Sequence, residues 1–396
     1  MTPTPRLPRN GESSKPLWDN PVVKVIFLLG LVYLFILAIT MLGASFKLAG
    51  RGLAESILHA TANPVMGLII GILTTSIVQS SSTTTSLVVA LVGAGTLPFQ
   101  AAIPMIMGAN IGTTITNIIV SLGHISRPDE FRRAFAGSIV HDFFNLCSVA
   151  LLFPLQIEFD LIGRSAQALE KVFEGFGGAR FGSPLEVIAK PVSSGIISHV
   201  GDCVNAVASA VVTPWMVFLK GHVAASCIVV ALLLLFLALR YIVVVLRSLV
   251  LSRVERFFQR YVFRTASLSF ILGIVITALV QSSSITTSLV VPLLGAGVLT
   301  LHQIFPYMLG ANIGTTVTAF LASFVIGKPE AISVAFAHFM FNVYGTAIFW
   351  PLKRIPIFLA EKLSEFTLKS RVVPLAYIAI VFFVLPGLLM LIMGND

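Results

Sequence analysis

Gln79-Ser80-Ser81-Ser82, followed by Gly108-Ala109-Asn110-Ile111-Gly112-Thr113-Thr114, returns as Gln281-Ser282-Ser283-Ser284 and Gly310-Ala311-Asn312-Ile313-Gly314-Thr315-Thr316. Every partner lies 202 residues away, and without a gap the segment 79–116 matches 281–318 at 24 of 38 positions. The matches are mostly hydroxyls, amides and glycines set in apolar sequence. A polar patch duplicated in such surroundings suggests a transport site.

Those surroundings are those of a membrane protein. With 56% hydrophobic and 11% charged residues over 396 positions, the chain has more apolar surface than one soluble core needs. Segments 22–42, 223–239 and 372–393 are runs of Val, Leu, Ile and Phe with at most one charge, close to the roughly 20 residues a helix needs to cross hydrocarbon. Residues 1–20, rich in Pro, Gly and Ser, are expected to be a disordered tail. No small-residue cleavage site follows the 22–42 run, so it is expected to be a retained span. Cys147, Cys203 and Cys227 show no metal-type spacing.

A net charge of +9 raises nucleic acid as a partner, but its distribution excludes that reading. Lys and Arg collect between spans, in the tail, in 246–265 (Arg247, Arg253, Arg256, Arg260, Arg264) and in 353–371. Positive loops mark the cytoplasmic side. With the tail inside, the first span delivers 43–63 outside, whereas the basic segment before the second repeat lies inside. The two repeats then enter from opposite faces, an inverted-topology duplication of the kind found in secondary transporters.

The apolar run Pro64–Val78 is too short to span, at about 22 Å for 1.5 Å per helical residue. It is read with the arm ending at Gly93-Ala94-Gly95 as a re-entrant hairpin carrying the Ser triplet at its tip. The expected fold is thus an all-α polytopic membrane protein with two inverted-topology repeats, each holding a re-entrant helical hairpin and a broken transmembrane helix. The Asn-Ile-Gly-Thr-Thr segments are expected to break the helices 99–121 and 301–323 midway. The expected divisions are a tail (1–20), a first repeat unit (22–155, hairpin 64–98) and an external loop region (156–222). A second repeat unit (223–352, hairpin 266–300) follows, then a cytoplasmic segment and last span (353–396). The N-terminus is expected in the cytoplasm and the C-terminus outside. Segment 203–219 is apolar enough to be interfacial or part of an extra crossing pair.

At a hairpin tip the first backbone N–H groups lack partners and carry partial positive charge. Ser80 to Ser82 and Ser282 to Ser284 add hydroxyl donors, and Asn110, Asn312, Thr113 and Thr315 donate or accept. A small tetrahedral oxyanion fits such a cage. The same side chains are hard ligands for sodium. A third reading is that small Ser, Thr and Gly only let helices pack closely, but two copies in a shared register favour a site.

A second repeated element follows each core: His141-Asp142-Phe143-Phe144-Asn145 and His338-Phe339-Met340-Phe341-Asn342. His and Asn stand at i and i+4, on one helix face, and the histidines are expected to brace helices. Asp142 lies well inside a span, so its carboxylate should be paired or bind a cation. No Gly-rich stretch ends in Gly-Lys-Ser or Gly-Lys-Thr, which leaves an ion gradient as the energy source. No Gly-x-Ser-x-Gly elbow appears, and the chain is expected not to be an enzyme.

These residues resemble the type II sodium-dependent phosphate cotransporters: the repeated QSSS, both GANIGTT segments, 130–137 (EFRRAFAG), HDFFN and HFMFN. The resemblance implies that the chain is a bacterial member, multi-pass in the plasma (inner) membrane, with no cofactor beyond sodium as coupling ion. Its implied partners are inorganic phosphate, sodium and the lipid bilayer, with no statement of oligomeric state. It implies phosphate binding by Gln79, Ser80, Ser81, Ser82, Asn110, Thr113, Ser282, Ser283, Ser284 and Asn312. It implies a sodium site of Gln281, Ser282, Thr315, Thr318 and Asn145. Asp142 stands where electrogenic members carry an aspartate, which implies three sodium ions per divalent phosphate. Another small oxyanion such as arsenate or sulfate, or an anion channel, are the alternatives. The family's vertebrate members have a disulfide-bonded outer loop, whereas 156–222 holds only Cys203. Where those members place serine before the second Asn-Ile-Gly, this chain has Ala311.

Overall fold

In the computed structural model the described residues are 21–49, 61, 63–175 and 265–393, with 195, 198, 223, 225–238, 241 and 245. They are helical throughout, without strands. The expected tail, the segment 203–219 and all of the basic stretch but residue 265 (246–264) lie outside them. Five helices among the described residues are long and apolar enough to cross a membrane: Phe99–His124, Pro128–Phe159, Leu301–Ile326, Pro329–Phe349 and Val373–Met393. Their outward faces carry side chains such as Ile119, Leu151, Leu321, Leu388 and Leu391 in exposed positions. Exposed apolar side chains of this density suit lipid and not water.

In chain order, α1 (Pro21–Ala49) precedes two short helices, α2 (Pro64–Val78) and α3 (Ser81–Gly93). Then come α4 (Phe99–Gly112), α5 (Ile115–Ser121), α6 (Pro128–Phe159) and α7 (Leu161–Gly175). After α8 (Ala225–Ala238) the pattern recurs with α9 (Ala266–Val280), α10 (Ser283–Ser288), α11 (Val291–Gly295), α12 (Leu301–Ile326) and α13 (Pro329–Phe349). The amphipathic α14 (Arg354–Glu365) leads to α15 (Val373–Ala379), a π-helical stretch Ile380–Val384 and α16 (Leu385–Met393).

The arms 64–78 and 266–280 are helices with the bounds read from sequence. Both stop for the same reason. Gln79 (φ 58°, ψ 28°) and Gln281 (φ 58°, ψ 25°) adopt the left-handed conformation, which costs a non-glycine residue about 1 kcal/mol or more. Each glutamine offsets that cost locally. Its amide N–H donates to the carbonyl four residues back, and its side-chain amide donates to the carbonyl of Ser76 or Ala278. The next residue turns extended and N-caps the following helix: Ser80 Oγ accepts from the Thr83 N–H at 3.2 Å, and Ser282 Oγ from that of Ile285 at 3.4 Å. The second arm is divided into α10 and α11 where the first is continuous. Pro292 stands at the position of Ala90, and its ring removes an N–H and crowds the preceding turn.

Glycines explain how each short arm meets the long helix of its own repeat. A Cβ at Gly71 would strike the Met105 carbonyl, and one at Gly108 the carbonyl of Leu68. Their mates Gly273 and Gly310 face the carbonyls of Tyr307 and Phe270 in the same way. Close packing therefore accounts for the repeated glycines, but not for the repeated hydroxyls and amides between them.

The expectation of a helix broken midway in each repeat holds in the first and is corrected in the second. The second, α12, runs unbroken from Leu301 to Ile326, because Thr315 and Thr316 return their hydroxyls to Ala311 O at 2.9 Å and Ile313 O at 2.7 Å. In the first, only a shallow turn at Thr113-Thr114 separates α4 from α5, with both residues still right-handed. There Thr114 directs its hydroxyl away from its own helix, towards α6.

The halves interlock. Arg133, near the start of α6, donates to the Gly295 carbonyl from Nε (3.0 Å) and Nη2 (2.7 Å). Lys328, just before α13, donates to the carbonyl of Gly93. Gly93 and Gly295 are repeat mates, so each arm has its C-terminal carbonyl end capped by a cation from the opposite half, where the helix dipole favours one. At the α6–α13 crossing, Gly345 abuts Ser148, each seven residues beyond its repeat's histidine. One measurement tests the packing argument: Gly310→Ala should lower stability by about 2 kcal/mol, the scale of an overpacked contact, in thermal unfolding in detergent. Gly30→Ala, with open space around it, should not. Equal responses would sink it.

Candidate functional site

The two glutamine turns meet. Ser82, in the first turn of α3, donates its hydroxyl to the Gln281 carbonyl at 3.2 Å, across the repeat boundary. Ser284 donates to Thr113 O at 3.4 Å, and Asn117 Nδ2 to Thr287 Oγ1 at 2.8 Å. The start of each short helix thus faces hydroxyl and carbonyl groups of the other repeat. Ser81, Ser82, Ser283 and Ser284 are buried, while Ser80 and Ser282 are half-buried.

Each glutamine is also tied to its own long helix. Thr116 Oγ1 donates to Gln79 Oε1 at 3.0 Å, and Thr318 Oγ1 to Gln281 Oε1 at 2.8 Å. The geometry is the same in both halves but the exposure is not: Gln79 is exposed, whereas Gln281 is buried. Of the residues assigned to sodium, Gln281 and Thr318 are therefore in direct contact, with Ser282 next in the chain. Thr315 lies one turn from Thr318 on α12. Asn145 comes from α6 and joins this group through Asn312.

Asn312 is the junction. Its Nδ2 donates to Asn145 Oδ1 at 2.9 Å, its Oδ1 contacts His141 Nε2, and Asn145 Nδ2 donates to the Asn110 carbonyl at 2.8 Å. Asn110 sends its own amide back to Ile106 O at 2.9 Å. His141 acts as the brace expected of it. It binds Asn312 on one side and Thr114 Oγ1, 3.5 Å from Nδ1, on the other.

Asp142 is fully buried. Thr114 donates to its Oδ1 at 3.4 Å, and the Tyr377 hydroxyl donates to its Oδ2. Among the described residues no Lys or Arg pairs with it, so the fixed cationic partner that a buried carboxylate could have had is not seen there. Two hydroxyl donors offset only part of the desolvation of an ionised carboxylate. That leaves the position suited to a cation. Its two oxygens, with those of Thr114 and Tyr377, are the hard donors sodium prefers.

Tyr377 was not singled out in the sequence. It comes from α15, and a lone tyrosine within an otherwise Leu, Ile, Val and Phe span was the signal present, because a buried phenol needs a partner. Just beyond it the helix relaxes into the π-helical turns 380–384, a local widening that recurs at functional sites. Thr114 and Thr116 were passed over for Thr113, whose hydroxyl is turned back to Ala109 O at 3.0 Å.

Duplicated helix breaks that meet across a repeat boundary, with a buried carboxylate lacking a cationic partner, are features of secondary transporters. The chain belongs to the Na+/Pi-cotransporter family, whose profile matches residues 34–182 and 233–360. Sodium-dependent phosphate transport protein 2B of Homo sapiens is 32% identical over 444 residues, covering 92% of this chain and 64% of that protein. Protein 2A of Rattus norvegicus is 34% identical over 427 residues, covering 93% and 67%. The chain therefore spans about two thirds of the length of the curated relatives it matches. No solved structure matches it.

The geometry makes Asn312 the costly residue to lose. Asn312→Leu leaves His141 Nε2 and Asn145 Oδ1 without their partners and should destabilise by ~2 kcal/mol, whereas Asn110→Leu removes only a bond within its own helix and should cost less than about 1 kcal/mol. Thermal unfolding of the two variants in detergent separates them, and the reverse order would overturn the assignment.

Proposed function

We propose that this protein is a sodium-coupled symporter of inorganic phosphate that works by alternating access. The observation that carries the reading is the meeting of the two serine-bearing helix starts, in a chain of the Na+/Pi-cotransporter family. Ser80 to Ser82 and Ser282 to Ser284, with the free N–H groups of the helices they open, supply the donors for the oxyanion; Gln79, Asn110, Thr113 and Asn312 border it. Gln281, Ser282, Thr315, Thr318 and Asn145 hold one sodium ion. Asp142, with Thr114 and Tyr377 beside it, holds another, whose charge makes transport electrogenic with three sodium ions per divalent phosphate. The repeats are inverted in the membrane, the two arms are re-entrant, and the site sits near the midplane of the plasma membrane. The N-terminus is cytoplasmic and the C-terminus external.

Sodium-driven uptake of radiolabelled phosphate into proteoliposomes tests this, with arsenate and sulfate as competitors. Accumulation against the phosphate gradient is expected, and its absence would remove the central claim; a channel could not accumulate at all. Ser80→Ala and Ser282→Ala should each raise the half-saturating phosphate concentration about tenfold, the loss of one hydrogen bond to a charged ligand. Unchanged values in both would move the anion elsewhere. Asp142→Gly should abolish transport current while electroneutral uptake persists, and an unaltered current would make the aspartate structural.

A further inference from the structure

The hydrogen-bond network on Asn312 has a mirror image in the sequence, and the mirror image is open. Under the repeat, Asn312 corresponds to Asn110, Thr114 to Thr316, His141 to His338 and Asn145 to Asn342. The first set forms one connected network between α6 and α12. In the second, every partner is turned onto its own helix: Asn110 to Ile106 O, Thr316 to Ile313 O, and Asn342 Nδ2 to His338 O at 3.0 Å. Both ring nitrogens of His338, and Asn342 Oδ1, are buried without a partner among the described residues. This is so although α13 packs against α4 as α6 packs against α12.

Three unpartnered buried polar atoms in two residues are not a stable endpoint, since each has lost water with no hydrogen bond to offset the loss. The same half of the molecule differs at its glutamine turn, where Gln79 is exposed and Gln281 is buried. The closed network and the closed turn thus involve the same long helix, α12. The open network and the open turn involve the corresponding segment of the first repeat, Asn110 on α4 and Thr116 on α5.

We infer that His338 and Asn342 are the second of two reciprocal latches. When the protein opens at Gln281, they close on Asn110 as His141 and Asn145 close on Asn312 here. The inference rests on the alternating access proposed above. An inverted duplication lets the two halves exchange conformations, and the latches give that exchange residues. His141 and Asn145 stabilise the state described here; His338 and Asn342 stabilise its opposite. Both pairs are positioning residues.

The test uses the full chain, its three native cysteines replaced, with Thr318→Cys, buried against Gln281, as a reporter of that turn. In detergent, the rate of modification by a polar thiol reagent reads the fraction of molecules open there. His141→Ala should raise the rate about fivefold, the population shift from one hydrogen bond of ~1 kcal/mol. His338→Ala should lower it by a similar factor, and the double variant should return it near the starting value. Asn342→Leu should act in the same direction as His338→Ala and serves if that variant does not fold. A rate unchanged or raised by both His338→Ala and Asn342→Leu would overturn the latch. Labelling needs no transport, so failure of sodium-driven uptake in the unmodified chain would count against the proposed function alone.

Discussion

A helix interrupted inside a packed apolar protein leaves backbone N–H and C=O groups with nothing to bind, and satisfying them at Gln79 and Gln281 organises the rest of the molecule. The glutamine side chain is what makes a left-handed break affordable without glycine. Its amide stitches the turn to the end of the helix it closes, and its oxygen takes a threonine hydroxyl from the long helix alongside. The break is thereby held rigid while the serine behind it begins a new helix. Backbone donors at that start have no intrahelical acceptor, and the opposite repeat supplies only some of what faces them.

Much of this was legible in the sequence because it depends on length and register. An arm of 15 apolar residues between Pro64 and Val78, ended by Gln and Ser, has few conformations open to it, and the copy 202 residues on repeats them. The shared His and Asn spacing marked α6 and α13 as equivalent. What the sequence could not show was which way a hydroxyl turns. Asn-Ile-Gly-Thr-Thr reads as a helix breaker, yet Thr315 and Thr316 bond back to their own turns and α12 stays whole, while Thr114, the same residue type, reaches for His141 and Asp142. Tyr377 was hidden for another reason: it reaches Asp142 across 235 positions of chain, and no local pattern encodes that meeting.

The two halves are alike at their turns and glycine contacts and unlike in side-chain bonding. Identical glutamine turns, identical glycine contacts and equivalent serine caps coexist with one closed network of side chains and one open one. The shared motif does not set this asymmetry, since Asn110 and Asn312 sit in the same one; a sequence difference beside it bears on one pair, for Thr114 bonds Asp142 and the repeat mate of Asp142 is Phe339.

The crossed cations carry a lesson about how the chain is made. Arg133 caps a carbonyl 162 residues ahead of it, and Lys328 caps one 235 residues behind. While the first half emerges from the ribosome, Gly93 has no cap and Arg133 has nothing to hold. Neither half supplies the cation that caps its own arm. A chain cut between the repeats would leave Gly93 without its lysine and Arg133 without its carbonyl.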